Sequence, residues 1–182
     1  FQTVLVDEPV LQALDVDVRG LFLGSPDRWK DVYLDDRAYR DEWGVIRSQP
    51  PGTLYWDMVG SPLSGDITKA DVNAWEGPDP DDPGRYRGLR KRATWYRENT
   101  KYAIALALPT GPVHITQYLR GFEDWFTDLV LQPDLIGMLM DKVMEIQLAS
   151  AAKALAQVGD LVDIVSIGDD VGHQRGPLCS PE

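Results

Sequence analysis

Apolar and polar positions alternate with different periods along this chain, and the clearest contrast lies in its second half. KYAIALALP (101–109) is a continuous apolar run bounded by Pro, Thr and Gly, and LVDIVSIG (161–168) is a second. Such runs predict strands buried on both faces, as in a parallel sheet. Between them, ITQYLRGFEDWFTDLVLQ (115–132) and PDLIGMLMDKVMEIQLASAAKALAQVG (133–159) carry helical periodicity. Pro133 falls where a first-turn proline is tolerated, and Gly159 closes the second helix. Met138, Met140 and Met144 fill a helix face. Strand, helix, helix and strand in this order predict a parallel crossover and an α/β architecture.

The first half is less regular. VDEPVLQAL (6–14) predicts a short helix and VDVRGLFLG (16–24) a strand. AYRDEWGVIRS (38–48) and TLYWDMVG (53–60) flank QPPG and predict a β-hairpin with Trp43 packed beneath it. Thr68 is placed to cap the helix KADVNAW, with Asp71 in the capping-box position. The turn-dense, acidic GPDPDDPG (77–84) reads as a connection, and a helical pattern follows from Arg85 to about Asn99. Segments 16–23, 102–108 and 162–167 are therefore expected as parallel neighbours in one curved sheet, with 115–131 and 133–158 on its outside.

Three parallel strands fall short of a (β/α)8 TIM barrel, which takes about 250 residues. The expected fold is an incomplete central portion of such a barrel. Residues 1–182 would form a single partial domain with a β-hairpin insertion around 38–60; a complete small α/β sandwich is the alternative. Ser180-Pro181-Glu182 has the pattern of a helix start, and the first residue is Phe rather than Met, so both ends read as cut.

Composition narrows the classes. Of 182 residues 43% are hydrophobic and 26% charged, which is ordinary for a globular chain. A net charge of -11 argues against nucleic acid or an anionic membrane as partner. No apolar run reaches the roughly 18 residues of a membrane span, and FQTVLVDEPV lacks the pattern of a secretory leader. A lone Cys179 suits the reducing cytoplasm. With His114 and His173 it completes the inventory of soft metal ligands, and no CxxC, HxC or HExxH spacing occurs. No zinc site is expected within this chain.

The candidate chemistry sits after the two apolar runs. In SIGDDVGHQRGPLCSPE (166–182), Asp169 and Asp170 follow the second run directly, where parallel sheets place their active sites. Strand parity groups Asp170 with Ser166 and Gly168, assigning Asp170 to the cavity as the catalytic carboxylate beside Asp169. Gln174 reaches the same space as an amide donor, Arg175 adds a guanidinium, and His173 lies on the same loop. After the first run, Gly111 leaves room for a ligand near the backbone. Arg120 has salt-bridge spacing to Glu123 and Asp124, or binds substrate. Arg19, flanked by apolar residues, pairs with Asp17 or Asp41 or meets a bound anion. Either arginine would supply the counter-charge for Asp170.

Taken in order, LQALDVDVR, YRDEWGV, GSPL, WEGPDPDDPGRYRGL, YLRGFEDWF and VGDLVDIVSIGDDVGHQRGPLCSPE resemble the uroporphyrinogen decarboxylase superfamily over almost the whole chain. The resemblance implies a TIM barrel and one of two chemistries. Decarboxylases remove carboxyl groups from the acetate side chains of a tetrapyrrole without a cofactor. The methyltransferase branch uses zinc, held by residues expected downstream of Glu182, to activate a thiol, or otherwise moves methyl groups to and from a corrinoid protein. YRDEWGV and the GDDxGxQ loop look more like the methyltransferase-like branch, in which a corrinoid is carried by a partner protein. His173 departs from the small polar residue that the family's loop implies. A non-catalytic binding or assembly module is the remaining reading.

Overall fold

The computed structural model describes residues 6–109 and 111–178. Thr110, Cys179 and the predicted helix start at 180–182 lie outside them, as do residues 1–5. The chain divides into two compact units.

The first unit takes the described residues of Phe1–Arg28, with Asp81–Leu108 and Ser150–Ser166. Helix α1 (Glu8–Ala13) leads into β1 (Val18–Phe22). A 3-10 turn (Pro83–Tyr86) and α3 (Leu89–Asn99) precede β6 (Ala103–Ala107), and the last turns of a long helix lead to β7 (Ile164–Ser166). The strands form a parallel sheet in the order β1-β6-β7, pairing Arg19 with Ile104 and Ala105 with Ile164. The expected parallel neighbours are thus found.

Their burial differs from expectation. Along β6 every second residue is buried: Ile104 and Leu106 pack with Leu21, Leu89, Ala93, Ala154 and Val158, while the alanines face the other way. Small residues, rather than burial on both faces, explain the unbroken apolar run. β7 is an edge strand with Ile164 45% and Val165 47% exposed.

Two carboxylates knit this unit. Asp163 accepts from the Ile104 amide at 2.8 Å and from Arg97 at 2.8 Å, and both hold its carboxyl below the usual range. Buried Asp82 accepts from the amides of Asp27, Arg28 and Gly84 at 2.6–2.8 Å, so the acidic 77–84 connection contains a structural clamp.

The second unit takes Trp29–Pro80, Pro109–Ala149 and the described residues of Ile167–Glu182. It holds an antiparallel sheet, β2 (Val32–Asp35), β3 (Ala38–Arg40), β4 (Ile46–Ser48) and β5 (Asp57–Gly60), in that order. The Pro50-Pro51-Gly52 hairpin joins β4 to β5, with Gly52 at φ +82. A second turn, unforeseen, splits the 38–48 run. Asp41 Oδ1 accepts from the Trp43 and Val45 amides at 3.0 Å, and Gly44 takes φ +82. Trp43 stacks on Trp75 beyond α2 (Lys69–Ala74), where Asp71 accepts from the Thr68 amide as the capping box requires.

The expected 115–132 helix is two helices, α4 (Pro112–Arg120) and α5 (Phe122–Leu131), broken at Gly121 with φ +86. The long α6 (Pro133–Val158) follows, giving residues 133–149 to this unit and 150–158 to the first. Val45, Leu63, Val72, Ile115, Leu119, Trp125, Leu139 and Val143 form the core. The Trp125 indole donates to Thr116 at 2.9 Å within it.

The barrel expectation fails. Among the described residues the parallel strands number three, and β1 and β7 each lack a second neighbour, so the sheet is open. Residues 32–60 are joined by hairpins into an antiparallel sheet, which cannot supply the strand–helix repeats of a barrel. The fold is mixed α/β.

Candidate functional site

The Gly168-Asp169-Asp170 loop meets the start of α4 within the second unit. Gly111 donates its amide to the Gly168 carbonyl at 2.7 Å. Gly111 is the N-cap of α4 and has no side chain to cap with. Asp169 does that work from a distance: Oδ2 accepts from the Val113 amide at 2.9 Å and Oδ1 from the His114 amide at 2.8 Å. A carboxylate there satisfies two orphan donors and complements the positive end of the helix dipole. The room left by Gly111 is taken by this carboxylate, since a Cβ at Gly111 would lie 2.7 Å from Asp169 Cγ. Asp170 donates its amide to Asp169 Oδ1 at 3.0 Å, and its side chain is exposed.

Beyond the loop, β8 (Gly172–His173) and β9 (Gly176–Pro177) form a small hairpin with Gln174 and Arg175 at its tip. The Arg175 amide donates to His173 Nδ1 at 3.2 Å, so that nitrogen serves as the acceptor. Gln174 and His173 are exposed.

One face of α4 carries a constellation that the sequence reading missed. His114 Nε2 and the Tyr118 hydroxyl are 2.8 Å apart, one helical turn along. The Arg47 guanidinium of β4 lies 4.8 Å from the centre of the Tyr118 ring, and its Nε donates to Asp41 Oδ2 at 2.9 Å. Around them, desolvation pushes the Tyr39 hydroxyl above its usual range. Desolvation, then the Asp41 carboxylate, pushes Asp31 up. This set offers a fixed guanidinium, a phenol and an imidazole within one cluster. It can hold an anionic or polar group and pass a proton through the His114–Tyr118 contact. The signal available in sequence was the four-residue spacing of His114 and Tyr118, hidden because the helix was begun at 115.

The two arginines expected at the site have partners within their own units. Arg19 in the first unit donates Nε and Nη2 to Glu8 at 2.8 Å each and lies 3.5 Å over the Tyr102 ring. Its partner is thus Glu8 rather than Asp17 or Asp41. Arg120 in the second unit donates to Asp128 at 2.7 Å, to the Leu63 carbonyl at 2.7 Å and to Asp124 at 3.0 Å. Asp169, Gly111 and His114 are brought together; Asp170 and Gln174 lie exposed on the adjoining segment.

Among the described residues no group of three or more His, Cys, Asp or Glu side chains is arranged to hold a metal ion, so they do not fit zinc. Among them, too, no helix is long and apolar enough to cross a membrane. No family model, curated protein or solved structure matches the chain.

Proposed function

We propose that this chain acts in a cytoplasmic enzyme related to the uroporphyrinogen decarboxylase superfamily, transferring a methyl group between a corrinoid protein and a thiol acceptor. The observation that supports the reading is the fold of YRDEWGV. This hairpin carries the resemblance to the methyltransferase-like branch. It leads through the Asp41 turn to Arg47, held by Asp41 at 2.9 Å and lying over Tyr118 of α4. In this reading Arg47 and Tyr118 orient a polar substrate, His114 relays a proton through Tyr118, and Asp169 positions His114 by capping α4. Asp170, exposed beside that cap, acts as the catalytic carboxylate, and Gln174 binds substrate from the neighbouring turn.

The test supplies methylcobalamin and a thiol to the purified protein and follows the corrinoid spectrum, with uroporphyrinogen in a parallel assay. Corrinoid demethylation is expected, and Asp170→Asn should slow it by about a hundredfold with the fold intact. Loss of carboxyl groups from uroporphyrinogen without demethylation would replace methyl transfer by decarboxylation. Inactivity on both would leave the binding-module reading standing.

A further inference from the structure

The first unit carries a groove of about 800 Å³ between α1, the last turns of α3 and the connection into β6. That volume suits a small organic ligand. Trp95, 56% exposed, and Tyr96 line it and meet edge to face, with ring centroids 5.4 Å apart at 72°. The two rings form an open corner. Tyr102 lines it too, and one face of its ring already carries the Arg19 guanidinium at 3.5 Å.

The polar lining carries charge of both signs, so the aromatic faces decide the ligand. Of the amides, Gln12 Nε2 donates to Glu8 at 3.0 Å and Asn99 Nδ2 to the Trp95 carbonyl at 2.9 Å. Glu8 is bound to Arg19. Beside the ring faces stand the exposed Glu98 carboxylate and the exposed Lys101 ammonium, in a chain of net charge -11. Aromatic faces attract cations through their quadrupole, and an open corner of two rings offers two such faces.

We propose that this groove binds a small alkylammonium cation, seated in the Trp95–Tyr96 corner with Glu98 balancing its charge. The site is independent of the methyl-transfer reading.

Isothermal titration calorimetry of the whole chain with choline tests it, using dimethylbutanol as the uncharged isostere. Choline should bind at least about fivefold more tightly than the isostere. Trp95→Phe, which keeps a ring, should retain most of the affinity. Trp95→Leu, which keeps apolar bulk, should lose about fivefold or more. Because Trp95 is exposed, both variants should keep the wild-type unfolding midpoint, which shows that lost binding is not lost fold. Equal binding of choline and its isostere overturns the proposal, as does unchanged affinity in Trp95→Leu or no choline binding at all. A trimethyllysine peptide binding more tightly than choline would overturn the assignment to a small molecule.

Discussion

Arg19 and Arg120 occupy comparable places in the two units: both are almost fully buried, and the sequence leaves each open between an ion pair and a bound ligand. Their partners differ. Arg120 is answered by Asp128, itself only 5% exposed, by Asp124 and by a backbone carbonyl. Arg19 is answered by Glu8, 43% exposed, and by the face of Tyr102. A buried guanidinium therefore need not signal a ligand, because desolvation demands an acceptor of some kind and the protein can supply it. The exposure of that acceptor decides what the pair does. Arg120–Asp128 ties α4 to α5 where water cannot compete, whereas Glu8 keeps one side in solvent and answers to pH.

That contrast breaks most sharply at Asp128. Asp128→Ala leaves Arg120 buried with Asp124 and a carbonyl, and should lower the free energy of unfolding by about 3–5 kcal/mol in chemical denaturation. A loss below about 1 kcal/mol would place Arg120 with the solvent-screened pairs.

Glu8→Ala should produce a smaller fall by the same measurement, because water can partly replace the lost carboxylate. The wild-type pair carries a pH signature as well. The Arg19 hydrogen bonds hold the Glu8 carboxyl below its ordinary range. A depressed carboxyl stabilises the fold above its unfolded pKa, and the contribution disappears as pH falls through the folded value. Between neutral and acid pH, Glu8→Ala should therefore lose less stability than the wild type; identical acid profiles would remove Glu8 from the account.

The smallest change belongs to Tyr102→Leu. It removes the ring face under Arg19 but keeps the bulk, and should lower the melting temperature by about 1–3 °C.

Sequence reasoning recovered what depends on local period and end signals: α1, β1, α3, β6, α6 and the parallel order of the three strands. It stumbled where one residue redirects the chain. Gly121 was read through as helix, and Asp41 with Gly44 turned a run read as one strand into two. The barrel was overcalled because Ala-rich β6 and the edge strand β7 look as apolar as strands covered on both faces. At the candidate site, the loop position of Asp169 and the space beside Gly111 were legible. That the carboxylate fills that space was not, because it depends on the fold bringing residues 58 apart in sequence together. The His114–Tyr118–Arg47 row was missed for the same reason, as Arg47 arrives from the hairpin.

The absent side chain at Gly111 carries a consequence for how this sequence can drift. Asp169 fills the volume a methyl group would need, so the two positions share one allotment of space. Alanine at 111 is a poor step while Asp169 remains, and losing Asp169 alone strips the α4 amides of their acceptor. A shorter acceptor at 169, such as serine, would open the way for alanine at 111. The effect of either change then depends on which came first. Such sign-dependent epistasis makes the pair move together or not at all, and it predicts covariation between two loops that no shared motif would lead one to align.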